Sequence, residues 1–79
     1  MPRLDLIEAC WRVVGPSGKP IACGIYRSDA GVEVRAGYSI NDVVRSEFAS
    51  EIGAAREIAE AWKLAALAKG FEAYTEQGR

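Results

Sequence analysis

The side chains best suited to covalent chemistry are two cysteines, Cys10 and Cys23. A thiolate is a strong nucleophile, but it forms at neutral pH only beside a base or a cation, and histidine is absent from all 79 residues. Two cysteines without histidine are also too few for a structural zinc site. We therefore expect two reduced thiols, no metal ion and no cofactor.

Carboxylate pairs are the second candidate for chemistry, as general acids and bases. Glu57 and Glu60 stand three residues apart, a spacing that places both on one face of a helix. Arg56 and Lys63 share that surface, so an ion-paired, solvated face explains the carboxylates better than catalysis does. The glycines form no nucleotide-binding or phosphate-binding motif. The sequence predicts no catalytic residue and a protein that is not an enzyme.

Length, composition and charge limit the remaining function classes. A chain of 79 residues predicts one domain, 1–79, and the 49% hydrophobic residues suffice for a core. The net charge of −1 gives no overall attraction to nucleic acid. No apolar run is long enough to cross a membrane, and the N-terminus lacks a secretory-signal pattern. We expect a cytoplasmic protein without membrane contact.

Turn-forming residues divide the first half of the chain into strand-like segments. Clusters of glycine, proline, serine and aspartate lie at 15–20, 28–31 and 37–42. The segments between them are rich in valine, isoleucine, tyrosine and tryptophan, as strands are, and cover about 7–14, 21–27 and 32–38. The intervals are too short for crossover helices, so the pattern predicts an antiparallel meander.

Alternation along the strands assigns two faces to this sheet. The predicted inner face collects the apolar side chains of Ile7, Ala9, Trp11, Val13, Ile21, Cys23, Ile25, Val32, Val34 and Ala36. The predicted outer face holds Glu8, Cys10, Arg12, Ala22, Gly24, Tyr26, Glu33, Arg35 and Gly37. With Trp11 opposite Cys23, the two thiols lie on opposite faces and cannot form a disulfide. A register one residue away would bring them together, but it would place Glu8 and Arg12 beside isoleucines.

Residues 39–49, SINDVVRSEFA, fit two structures. Read as a fourth strand, the segment separates apolar from charged side chains, with Val44 and Phe48 on one side and Arg45 and Glu47 on the other. Read as a helix, it begins with capping-box spacing and repeats apolar residues at i, i+4 and i+8. We favour the strand, which brings the predicted sheet to about 7–48.

The segment 51–69 has the strongest helical pattern. Ser50 is the expected N-cap and Gly70 the expected left-handed stop, followed by a tail over 71–79. One broad apolar stripe should cover the sheet, with Trp62 as its anchor among Ile52, Ala55, Ile58, Ala59, Ala65 and Ala66. Phe71 should fold back over Ala66. The predicted fold is α+β, an antiparallel meander of three or four strands with one long C-terminal α-helix packed on one face.

The outer face of the sheet is one candidate binding surface. Its small residues leave a flat patch, a possible platform for nucleic acid or another ligand formed by Arg12, Gly24, Tyr26 and Arg35. A three-stranded sheet with outward arginines and the helix AAREIAEAWKLAA behind it resembles plant ethylene-response DNA-binding domains and the arm-binding domains of phage integrases. The resemblance covers about residues 10–70 and implies DNA contacts by Arg12, Arg35 and Arg27. Acidic neighbours on the same face and the net charge of −1 favour instead a solvated face of cross-strand ion pairs, formed by Glu8, Arg12, Glu33 and Arg35.

The back of the helix is the other candidate surface. Leu64 and Leu67 project nearly opposite Trp62, where the termini could cover them or a partner or dimer contact could bury them. The sheet-then-helix order also resembles small HicB-type antitoxins, which implies action by binding a partner protein. We expect a non-enzymatic interaction module that self-associates through this helix back or through an unpaired edge strand. The alternative is a nucleic-acid-binding domain that uses the outer sheet face.

Overall fold

The computed structural model describes residues 4–39 and 41–73. Four strands follow one another, β1 (Leu4–Val14), β2 (Pro20–Ser28), β3 (Gly31–Ser39) and β4 (Asp42–Ala49). The helix α1 (Ile52–Ala68) and a two-residue strand, β5 (Glu72–Ala73), complete the order. The five strands form an antiparallel sheet in the order β4-β3-β2-β1-β5, and the helix packs on this sheet. The predicted α+β meander is confirmed, and 42–49 is a strand.

The core lies between the helix and one face of the sheet. Ile25 on β2 and Val34 on β3 are fully buried. On the side of the helix that faces the sheet, the buried residues are Ala55, Ala59 and Trp62. The alanines let the helix approach the strands closely, and the indole of Trp62 is only 7% exposed. The predicted inner-face residues of β2 and β3 and the anchoring role of Trp62 are confirmed.

A hydrogen bond ties the edge of this core to the helix. The indole Nε1 of Trp11 donates to the backbone oxygen of Ala59 at 2.7 Å. A half-buried indole N–H needs such a partner, because leaving it unpaired costs free energy. The bond therefore helps to fix the position of α1 along β1.

The two ends of the helix are capped differently from each other. Glu51 is the N-cap, not the predicted Ser50, and its carboxylate accepts a hydrogen bond from the N–H of Gly53 at 3.3 Å. At the other end, Gly70 has a φ of 101°, the left-handed stop that the sequence predicts. The N–H of Phe71 then donates to the carbonyl of Ala66 at 3.1 Å, so the chain folds back as expected.

β1 contains two bulges that the sequence pattern does not reveal. Its pairing with β2 is interrupted at Ile7 and again at Cys10, each an extra residue without a partner in β2. An extra residue changes the face on which the next side chains lie. After the second bulge the predicted register returns, with Trp11 opposite Cys23.

The bulges overturn the predicted faces of three residues in β1. Glu8 lies opposite the inner-face residue Ile25, and Ala9 lies opposite Gly24 on the outer face. Cys10, predicted to face outward, packs against the buried core cluster that contains Cys23. The predicted separation of the two thiols by the sheet is therefore wrong.

Candidate interaction surface

β4 forms one edge of the sheet, with β3 as its neighbour on one side only. Every residue of β4 except Ala49 is exposed. The exposed residues include large apolar side chains: Val44 is 59% exposed, Phe48 57% and Val43 37%. An eight-residue edge strand with exposed apolar residues offers both unpaired backbone groups and contact area to another chain.

The charges of β4 stand between these apolar residues. Arg45 lies opposite Ala36 and Glu47 opposite Val34, both on the helix side of the sheet. The guanidinium of Arg45 reaches the helix and lies 4.7 Å from the centroid of the Trp62 ring. This cation–π contact holds a positive charge at the edge of the core.

The predicted platform residues lie together on the outer face. Gly24 is opposite Arg35, and Tyr26 stands two residues further along β2. A side chain at Gly24 would come within 3.0 Å of Leu6 and 3.2 Å of Tyr26, so these two side chains already cover the glycine. Arg12 is exposed and lies opposite Ala22.

Arg35 is engaged within the protein rather than directed to solvent. Its Nε lies 3.2 Å from a carboxylate oxygen of Glu33, without the alignment of a hydrogen bond. Glu33 is only 6% exposed and lies between Tyr26 on one neighbouring strand and Phe48 on the other. The two aromatic residues thus flank an ion pair in the middle of the outer face, which leaves Arg35 less available for a phosphate.

The prediction of cross-strand ion pairs is wrong for Glu8, Glu33 and Arg35. Glu33 and Arg35 pair with each other along the same strand, β3, and Glu8 belongs to the other face of the sheet. Its Oε1 accepts hydrogen bonds from Nη2 of Arg56 at 2.8 Å and from Nε at 3.0 Å. This contact between β1 and the helix was missed by the sequence-based interpretation.

A small depression lies beside the ion pair, toward β4. It has a volume of about 100 Å³ and is lined by Ala22, Tyr26, Arg35, Gly37, Tyr38, Ser39 and Val43. Tyr38 is 44% exposed, and the ammonium of Lys19 lies 4.9 Å from its ring centroid. The depression is too small for a drug-sized ligand, so this part of the face is better suited to contact with another surface.

The two leucines on the helix back are exposed, at 57% for Leu64 and 37% for Leu67. Leu6, which belongs to the N-terminal segment expected as one possible cover, is itself 58% exposed and lies against Gly24 on the outer sheet face. The tail residues 74–79 are outside the described part of the chain. Glu60 and Lys63 form an ion pair of 3.8 Å on the same helix, so charged groups accompany the leucines.

The thiols lie together but are poorly suited to nucleophilic chemistry. Burial and then the charge of Glu8 raise the pKa of Cys10, which lies beside a cleft formed with Trp11 and Arg56. Burial and the neighbouring Cys10 raise the pKa of Cys23 to about 12. Both groups are free thiols. Raised pKa values keep them protonated at neutral pH.

Over the described ranges, 4–39 and 41–73, no group of three or more potential metal ligands occurs, and no helix is long and apolar enough to cross a membrane. Comparison of the chain with protein-family models, with curated proteins and with solved structures found no match in any of the three.

Proposed function

We propose that this protein is a small, non-enzymatic interaction module that self-associates through the edge formed by β4. The observation that carries the proposal is an eight-residue edge strand whose large apolar side chains, Val44 and Phe48, are more than half exposed. Exposed strand edges recruit further strands, and natural proteins usually protect them with bulges, charges or covering segments.

The opposite edge of the sheet supports the choice of β4 by contrast. β1 carries two bulges, which twist a strand and interrupt its pairing pattern. At its far end β5 pairs with Val13 and Val14. That edge is thus modified along its length, whereas the two irregularities in the pairing of β4 with β3, at Val44 and at Tyr38, both lie near Gly37, and 45–49 pair regularly.

The outer face extends the surface next to β4. Phe48 and Val43 belong to this face, and Tyr38 and Leu6 add exposed apolar area on neighbouring strands. A single edge strand buries less area than a standard protein–protein interface, so the assembly should be weak and dependent on concentration unless this face contributes.

Catalysis and nucleic-acid binding have less support. The raised pKa values of both thiols disfavour a cysteine nucleophile. The ion pair between Glu33 and Arg35 and the net charge of −1 weaken the case for a phosphate-binding sheet. The proposal keeps the cytoplasm as the location, because two free thiols fit a reducing compartment.

Sedimentation velocity over a range of concentrations tests the proposal with a matched pair of variants. Val44 and Leu64 are aliphatic residues of nearly equal exposure, 59% and 57%, on the β4 edge and on the helix back. Val44→Lys should shift the protein toward monomer, because a lysine on the edge opposes strand pairing. Leu64→Lys should leave the distribution unchanged. A wild-type chain that stays monomeric at sub-millimolar concentration contradicts self-association. If Leu64→Lys shifts the protein toward monomer and Val44→Lys does not, the contact lies on the helix back instead.

A further inference from the structure

The sequence of β4 is symmetric in chemical character about its centre at Ser46. Arg45 and Glu47 flank the centre with opposite charges. Phe48 lies opposite Glu33 on the outer face, whereas Val44 has no partner in β3 and lines a cleft on the helix side with Arg45 and Trp62. The charges of such a strand are complementary to those of a second copy that runs in the opposite direction, since each charge meets its opposite.

We propose that β4 pairs with β4 of a second copy of this chain, antiparallel, with the two-fold axis at Ser46. The inference rests on the proposed self-association and specifies its register. Arg45 of each copy then lies opposite Glu47 of the other, on the helix side of the sheet. Directly opposed residues in antiparallel strands have their Cβ atoms about 4.5 to 5.5 Å apart, so the opposite charges of each pair are in contact.

The neighbouring registers lack this complementarity. An axis at Arg45 places two guanidinium groups opposite each other, and an axis at Glu47 does the same with two carboxylates. An axis between two successive residues would place inner-face side chains opposite outer-face ones, which antiparallel pairing does not allow. Like charges directly opposed are destabilising. Among these axes, the one at Ser46 pairs each charge with its opposite.

The structure also places one of the paired charges in advance. Arg45 rests on the ring of Trp62, with its guanidinium carbon 4.7 Å from the centroid. A side chain that is already held in place loses less conformational entropy when a partner binds. A two-fold axis perpendicular to the sheet continues β4 into its copy and keeps both helices on the same side.

Charge exchange tests the register. Either single variant, Arg45→Glu or Glu47→Arg, opposes like charges at two places in the dimer. Its dissociation constant should be roughly tenfold or more above that of wild type. An equimolar mixture of the two variants should recover association, because every facing position then carries opposite charges. The double variant, Arg45→Glu with Glu47→Arg, should also recover association, although it lacks the contact of Arg45 with Trp62. Circular dichroism of each variant checks that its fold is unchanged.

Cross-linking gives an independent reading of the axis. Ser46→Cys places a thiol opposite its own copy, within the separation that a disulfide spans, and oxidised glutathione can then convert the two thiols into one disulfide. The matched control is Ser50→Cys, which lies about 27 Å from its own copy in this register, eight residues at about 3.4 Å each. Wild type, treated in the same way, shows how much disulfide forms through Cys10 and Cys23.

Selective cross-linking of Ser46→Cys together with recovery on mixing is the expected result. A dimer that shows no recovery on mixing, or that cross-links equally through Ser50→Cys, overturns this register while self-association stands. A chain that is monomeric at every concentration overturns both proposals.

Discussion

Glu8 on β1 and Arg56 on the helix form a two-point contact across the layers of the fold, with the carboxylate oxygen 2.8 Å from Nη2 and 3.0 Å from Nε. The contact exists because the bulge at Ile7 turns Glu8 to the helix side of the sheet. It therefore reports directly on the bulged geometry of β1.

A double-mutant cycle with Glu8→Gln and Arg56→Gln measures this contact. Both side chains are partly exposed, so we expect a coupling of only about 0.2 to 1 kcal/mol in urea unfolding, decreasing as salt is added. A coupling of zero at low salt would instead agree with Glu8 on the outer face.

Local pattern could not predict the bulges. In the segment LDLIEACWRVV, apolar residues occupy both parities, and regular alternation already places four of them inward. What selects the bulged form is contact with residues far along the chain, Arg56 for Glu8 and the core cluster for Cys10. The Glu51 cap replaces Ser50 for a related reason, since both residue types can accept the hydrogen bond and only the entry path of the chain distinguishes them.

The features that follow from short-range chemistry were predictable. The turn at Gly31 has a φ of 120°, and Gly70 ends the helix with positive φ, as their positions in the sequence indicate. The burial of Trp62 follows from helical periodicity. The exposure of Val44 and Phe48 was also within reach, because the last strand of a meander is an edge. The sequence-based interpretation named an unpaired edge strand as one route to self-association, but its candidate residues lay on the outer sheet face and the helix back.

Trp62→Ala should cost about 3 to 5 kcal/mol of unfolding free energy, since the indole is buried among small side chains that leave a cavity. A domain of this size has little reserve, so the variant should be largely unfolded at room temperature. Trp62→Phe keeps most of the volume and should remain folded. Thermal unfolding followed by circular dichroism makes the comparison, and equal melting temperatures for both variants would disagree with a buried indole.

Cys23 should make the free energy of unfolding depend on pH in the alkaline range. Its pKa is raised from 9.0 to about 12 in the folded protein, so between these values the unfolded chain loses the thiol proton while the folded chain keeps it. The unfolded state binds fewer protons there, and the free energy of unfolding must fall as pH rises. Urea unfolding across this range should show a shallower fall for Cys23→Ala than for wild type. Parallel slopes would contradict the raised pKa.

The outer sheet face should not bind nucleic acid. Gel-shift titrations with duplex DNA at low salt should show no complex, because Arg35 is held by Glu33 and the net charge is −1. Arg12→Ala with Arg35→Ala serves as the matched variant. A salt-sensitive shift that this double substitution abolishes would support the alternative of a nucleic-acid-binding domain.

Hydrogen–deuterium exchange of backbone amides at low and at high protein concentration tests the central claim most directly. Pairing of β4 with a second copy gives partners to those N–H groups of Asp42–Ala49 that point away from β3, so the exchange of these alternate amides should slow as concentration rises. The amides of the central strand Pro20–Ser28, which already lie between two neighbours, should not change. Exchange along β4 that is the same at both concentrations, or slowing confined to the segment around Leu64 and Leu67, would contradict the account.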